Sequence, residues 1–256
     1  MAIFISGCAR MQPNSQAVNT ADASKAVFLD PSGTDSRFAM TETDFPWSTT
    51  GRLFHNNGDG TIQLCTATMV GRRIAITAAH CVIKNGAIVP VTLQLSFNNS
   101  KFTQQANSLY IKVGTLNPEA FYSADWAVIE LDANIGDFAG YLGVEFLGNL
   151  NAAVTVDYVG YSNNFQNSQV AGAERNCHIR ELFPNGTFGH DCSMSPGGSG
   201  GPLFAADTSG MVHILAINTR GYITTYKDYQ SNVANISVMN QDVVASVLDF
   251  RSRFDK

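Results

Sequence analysis

Charge is scarce in this chain: Asp, Glu, Lys and Arg make up only 14% of its 256 residues. What charge there is sums to −5 at pH 7, and no basic run or aromatic-and-arginine stripe offsets it. Such a chain lacks the electrostatic footprint of a nucleic-acid binder. Long apolar runs are missing as well: no window approaches the roughly 18 apolar residues that a membrane-crossing helix needs. Metal-ligand spacings of the C-x-x-C or H-x-x-x-H kind are absent. His80 does precede Cys81 and His178 does follow Cys177, but without those spacings a zinc site is disfavoured and no cofactor is expected. Basic residues are also absent from Met1 to Cys8, so this stretch is not a complete signal peptide.

The polar content that replaces charge is Asn, Ser, Thr and Gln, and mean hydropathy is −0.02. A chain of this length can bury roughly 70–75% of its unfolded surface, as one large domain or two small ones. The composition is that of an exported globular protein rather than a disordered one. Cysteine usage agrees. Cys65 and Cys81 stand 16 residues apart, Cys177 and Cys192 stand 15 apart, and Cys8 is left over. That arithmetic suggests two disulfides and one special thiol, each bridge contributing about 3 kcal/mol if formed. Cys8 ends Ile5-Ser6-Gly7-Cys8, which resembles the lipobox of bacterial lipoproteins, in which the cysteine is acylated after cleavage. Lipidation with a membrane tether, and an unpaired cysteine at a short apolar start, both stay open here.

Residues 1–44 read as an N-terminal arm, a pro-segment or tether. From residue 9 it is rich in small and amide side chains, with little structure of its own expected. From Phe45-Pro46-Trp47 onward, short apolar runs alternate with turn signals such as Asn56-Asn57-Gly58-Asp59-Gly60 and Asn98-Asn99-Ser100. Val91 to Phe97 alternates with period two, as a half-buried strand does. Many short strands at this spacing predict an all-β barrel or sandwich. Only the end reads as a helix: residues 241–250 place apolar side chains at 243, 244, 247, 248 and 250, and Asn240 is a candidate cap.

One loop carries candidate chemistry. In Ser195-Pro196-Gly197-Gly198-Ser199-Gly200-Gly201-Pro202-Leu203 a serine sits among glycines. Such a backbone approaches a small group closely, and its N–H groups could hold an oxyanion while Ser199 attacks a carbonyl. A plain flexible turn has the same composition. A serine also needs a base, usually histidine, oriented by a carboxylate. Of the five histidines, His55, His178, His190 and His213 lie in frames that suggest surface or structural roles. His80 ends Thr77-Ala78-Ala79-His80-Cys81 directly after an apolar run.

Thr77-Ala78-Ala79-His80-Cys81 resembles the histidine motif of chymotrypsin-fold serine peptidases. Asp125-Trp126-Ala127-Val128-Ile129-Glu130-Leu131 resembles the aspartate motif of that family, and Gly198-Ser199-Gly200-Gly201-Pro202-Leu203 its serine motif, in the same order along the chain. Cys65 stands where the histidine-loop disulfide of the family requires it. The resemblance covers about residues 45–250. It implies two antiparallel six-stranded β-barrels with the active site in the cleft between them, followed by a C-terminal helix. Residues 45–140 would form the barrel with His80 and Asp125, and residues 141–256 the barrel with Ser199. Ser199 would be the nucleophile, His80 the base and Asp125 the group that fixes its tautomer. The N–H groups of Gly197 and Ser199 would form the oxyanion hole.

Gly198 departs from the animal digestive branch, which has Asp immediately before the nucleophile and pairs it with a new N-terminus on activation. The Ser-Pro-Gly-x-Ser-Gly phrase is instead similar to the bacterial glutamyl-endopeptidase-like branch, as are Asp35-Ser36-Arg37 and Phe45-Pro46-Trp47. There the Cys177–Cys192 pair would brace the loop that leads to the serine. The resemblance places the base of the primary pocket at Ser193, whose neutrality removes the fixed charge that favours Lys or Arg. Thr219-Arg220-Gly221 would be the strand edge that pairs with an extended substrate. Asn218 stands where glutamate-specific relatives have histidine, which argues against glutamate preference. Arg220 could attract an acidic group, but an exposed arginine on a strand rim needs no such purpose, and both readings stay open here. The expectation is an exported, monomeric serine endopeptidase. A catalytically silent peptide-binding module and a small-ester acyl hydrolase are the alternatives.

Overall fold

The period-two run Val91–Phe97 forms a strand at Thr92–Leu95, with Val91, Leu93, Leu95 and Phe97 all buried. In the computed structural model, which describes residues 4–6, 9–11, 27–28, 35–222, 225–226, 229 and 234–255, it is one of twelve barrel strands. The first barrel comprises β1 (Thr50–Asn56), β2 (Ile62–Met69), β3 (Ile74–Thr77), β4 (Thr92–Leu95), β5 (Gln104–Val113) and β6 (Ala127–Leu131). They pair in the order β2-β1-β4-β5-β6-β3, and β3 closes the ring onto Thr68 and Met69 of β2. Leu53, Ala67, Leu93, Leu95, Ile129 and Leu131 point inward and form its core.

The second barrel comprises β7 (Val154–Gly160), β8 (Ala171–Leu182), β9 (Phe188–His190), β10 (Pro202–Ala206), β11 (Val212–Tyr222) and β12 (Asn235–Val238). The order is β11-β10-β7-β8-β9-β12, closed by β12 on β11. Val156, Tyr158, Ile179, Phe188, Leu203, Ile217 and Val238 fill it. Closure leaves few free edges, which is how antiparallel sheets of this size avoid edge pairing. Both rings are antiparallel, as the motif resemblance implies.

The helix runs Gln241–Phe254, four residues beyond the expected end. The extra turn is held by aromatic packing: Phe250 stacks on Tyr110 at 5.5 Å, and Phe254 meets both rings. Asn240 caps the helix, its Oδ1 accepting from the N–H of Val243 at 3.1 Å. Val243, Val247 and Phe250 are fully buried. Just past the helix, Asp255 accepts from the N–H groups of Arg72 and Arg73 at 3.0 and 3.2 Å. The C-terminal segment thus fastens the first barrel.

The arm needs correction at its end. Phe38–Met40, read as having little structure of its own, is a strand paired with Ala171–Ala173 of β8. It is extended, but its backbone partners lie more than 130 residues away in sequence. Cys8, the lipidation candidate, lies outside the described residues.

Candidate active site

The Ser199 loop owes its shape to its glycines. Gly197 and Gly200 have φ of +98° and +82°, where side chains with a Cβ are strained. A Cβ at Gly200 would also collide with the Thr66 carbonyl and the Thr77 hydroxyl. Both barrels pin the loop. From the first, the N–H of Thr66 donates to the Ser199 carbonyl at 2.8 Å and the Thr66 hydroxyl donates to the Gly197 carbonyl at 2.9 Å. From the second, Tyr158 and Asn218 donate to the Gly198 carbonyl at 2.9 and 3.1 Å. The Ser199 hydroxyl donates to the Thr219 carbonyl at 3.3 Å. Among the described residues, neither Gly197 nor Ser199 commits its N–H to another backbone group.

His80 sits in a 3-10 turn, Ala79–Cys81, directly after β3. The Cys65–Cys81 disulfide, with Cα atoms 6.0 Å apart, ties that turn to β2. Cys81 Sγ lies 3.8 Å from the Ser199 carbonyl oxygen, so the turn abuts the serine loop. Asp125 follows a second 3-10 turn, Tyr122–Ala124, just ahead of β6. One carboxylate oxygen accepts from the His80 N–H at 3.0 Å, and the other meets His80 Nδ1 at 2.8 Å. Asp125 is fully buried and His80 is 5% exposed. A buried carboxylate on Nδ1 holds the imidazole with its Nδ1–H toward the acid, which leaves Nε2 as the basic atom.

Arg220 is not the exposed rim residue that the sequence suggests. It is fully buried, with Nη1 2.8 Å from Glu119 and Nη2 donating to the Pro118 carbonyl at 2.9 Å. Its guanidinium stacks on Tyr122 at 4.3 Å and lies 3.9 Å from Asp125 Oδ2. It therefore braces the turn that carries Asp125 and adds positive charge behind the carboxylate. Its neighbours Thr219 and Gly221 are also buried, on the same strand.

Ser193 is fully buried, and its N–H donates to the carboxylate of Glu174 on β8. The Ser36 hydroxyl donates to the other oxygen of Glu174. Burial pushes the Glu174 carboxyl above its ordinary value, and these hydrogen bonds pull against that. Arg37, beside Ser36, binds Asp35 at 2.7 Å and Asn164 at 3.0 Å, which fixes Asp35–Arg37 against this wall. The Cys177–Cys192 disulfide, Cα to Cα 5.0 Å, immediately precedes Ser193. His190 Nε2 meets Asn218 Oδ1 at 3.0 Å, and burial lowers its pKa to about 4. The neutral ring donates to Asn218, which donates in turn to the Gly198 carbonyl. Glu174 is the residue that sequence reasoning missed, and the bond that joins His190 to the candidate pocket residue Asn218 was likewise not foreseen. The signal for Glu174 was a lone acid in the small-residue run Ala171-Gly172-Ala173-Glu174.

The trypsin family profile matches residues 36–240. The chain belongs to the trypsin family. Solved structures agree on the fold of this trypsin-family chain. A Glu endopeptidase in complex with MPD superposes with a TM-score of 0.66 at 20% identity, covering 86% of this chain and 98% of that one. The protease Anisep from Arthrobacter nicotinovorans gives 0.64 at 19% identity, with 85% and 99% covered. A thermostable serine protease from an extremophilic microorganism gives 0.64 at 18%, with 81% and 98% covered. At these identities the likeness is one of fold. No curated protein sequence matches. The family is one of chymotrypsin-like serine endopeptidases, so peptide substrates follow for this trypsin-family chain, and its two disulfides fit an oxidising environment.

Proposed function

We propose that this trypsin-family chain is an exported serine endopeptidase working through an acyl-enzyme. The observation that carries this is the buried His80–Asp125 pair, 2.8 Å apart at Nδ1, on a turn tied to β2 by a disulfide whose Cys81 sulfur lies 3.8 Å from the Ser199 carbonyl oxygen. In this reading the Ser199 hydroxyl turns from the Thr219 carbonyl toward His80 Nε2 and gives up its proton as Oγ attacks the scissile carbonyl. The oxyanion forms against the N–H groups of Gly197 and Ser199, where one donor is worth about 10²–10³ in rate. His80 passes the proton to the leaving amine as the C–N bond breaks. Water then enters by the same route and releases the acid product.

At the pocket, neutral Ser193 offers no fixed charge to Lys or Arg, and Asn218 is occupied by His190 and Gly198. Neutral residues are the expected preference ahead of the scissile bond. The arm at 1–44, a barrel at 45–140 and a barrel at 141–256 are the divisions that fit this reading. The deciding experiment is labelling with a fluorophosphonate followed by peptide mapping. The expected result is one adduct, on Ser199, abolished by Ser199→Ala and accompanied by casein cleavage. Labelling with ester turnover but no protein cleavage would point to the acyl hydrolase. No labelling of folded protein even on prolonged incubation would point to the silent module.

A further inference from the structure

Two short pieces of the N-terminal arm lie on the two strands that flank Ser199. Phe4–Ser6 pairs antiparallel with β11 in the register Phe4–Tyr222, Ile5–Gly221, Ser6–Arg220. Ala9–Met11 pairs antiparallel with β2 in the register Ala9–Leu64, Arg10–Gln63, Met11–Ile62. Both registers run toward the serine. The residue next to Arg220 is Thr219, whose carbonyl accepts from the Ser199 hydroxyl. Two residues past Leu64 is Thr66, whose N–H binds the Ser199 carbonyl. Only two positions separate the two pieces in sequence, and the pieces lie on strands of the second and the first barrel on either side of the nucleophile.

The barrels leave room for such a strand on the relevant edges. β3 covers β2 only at Thr68 and Met69, which leaves the Ile62–Leu64 half of that edge to the arm. β10 covers β11 only as far as Ile217, which leaves residues 220–222. Ser199 itself is fully buried, whereas a working nucleophile must meet solvent and substrate. Strand addition of this kind uses main-chain hydrogen bonds and accepts many sequences.

We propose that the arm, through Phe4–Ser6 and Ala9–Met11, is an intramolecular, substrate-like occupant of the cleft, which the chain must vacate before it can take a peptide from outside. The inference rests on the reading of Ser199 as the nucleophile. Covalent attachment gives the arm a millimolar effective concentration, enough to hold the cleft without tight intrinsic affinity. Gly198 excludes the Asp-dependent switch of the digestive branch, and an occupied cleft supplies control by a different route.

The test compares the full-length chain with full-length Ile5→Pro/Ala9→Pro, in which neither paired position can donate to its strand. Fluorophosphonate labelling of Ser199 is expected to be at least about tenfold faster in the variant, and the slow wild-type rate to be independent of protein concentration, as occupancy in cis requires. Equal labelling rates overturn the proposal. Hydrogen exchange reads occupancy without chemistry: amides of 62–64 and 220–222 should be protected in the wild type and exchange faster in the variant. Equal exchange overturns the proposal whether or not Ser199 reacts. Changed exchange with no labelling of either protein leaves the occupant in place and removes the nucleophile.

Discussion

At the scale of single residues, the carboxylate of Asp125 has little freedom to be replaced. One oxygen holds the His80 backbone and the other its Nδ1. In Asp125→Asn, the amide can keep the first contact through its oxygen. It then presents an NH₂ to Nδ1, which forces the proton onto Nε2, where a base cannot accept one from Ser199. The expected result is a fall in kcat of roughly 10⁴ with little change in thermal stability, read by burst kinetics and calorimetry. His190 gives a second prediction. Its pKa of about 4 in the fold lies below the ordinary 6.5, so the unfolded chain binds the extra proton between those values. Its contribution is complete above about pH 6.5 and is lost as pH falls toward 4, by up to about 3 kcal/mol. Urea melts across that range should show a steeper acid slope for the wild type than for His190→Gln. The candidate triad was legible because each member sits in a local motif that resembles one of the family's, small residues around His80 and Ser199 and an acid leading into an apolar run at Asp125. Glu174 and the His190–Asn218 link were not, because their partners arrive from other strands through a register that no local string encodes.

Among the elements, the C-terminal helix does more than cover a core. Asn240 caps it through Oδ1 and with Nδ2 donates to the Ser123 carbonyl at 2.9 Å. Ser123 lies in the turn that delivers Asp125, so the cap and the acid are mechanically joined. Asn240→Ala removes both contacts. It should lower stability by about 1 kcal/mol and reduce kcat several-fold by loosening the Asp125 turn. Asn240→Asp keeps the cap but has no donor for Ser123. It should recover the stability and not the rate, a split that denaturant melts and steady-state kinetics resolve. The helix and its cap were readable from period and residue type, and so were the alternating strands. The strand Phe38–Met40 was not, because its small and polar surroundings look like linker, and only its pairing with β8 gives it a conformation.

On the scale of the whole molecule, the two barrels bring three motifs from distant parts of the chain into one place. Their order and type could be read from the sequence, and the antiparallel rings followed by resemblance. The docking between the barrels could not, because it depends on a residue with no motif of its own. Thr66 of β2 donates its hydroxyl to the Gly197 carbonyl at 2.9 Å and accepts from the Tyr161 N–H at 2.9 Å. Its backbone N–H holds the Ser199 carbonyl as well. One side chain of the first barrel therefore satisfies two buried backbone groups of the second, on either side of the serine loop. Thr66→Val preserves shape and deletes both bonds. Each buried group left unpaired costs about 1–3 kcal/mol, which for a chain of this size lowers Tm by about 2–4 °C per kcal/mol. The larger consequence is positional: Gly197 is free to shift away from the oxyanion, and an error of about 1 Å there can cost on the order of 10² in rate. The variant should show kcat reduced far beyond any change in KM, while Tyr161→Phe, which keeps the backbone N–H, leaves kcat near wild type. Equal effects of Thr66→Val on kcat and on substrate affinity would place the docking contact outside the chemistry.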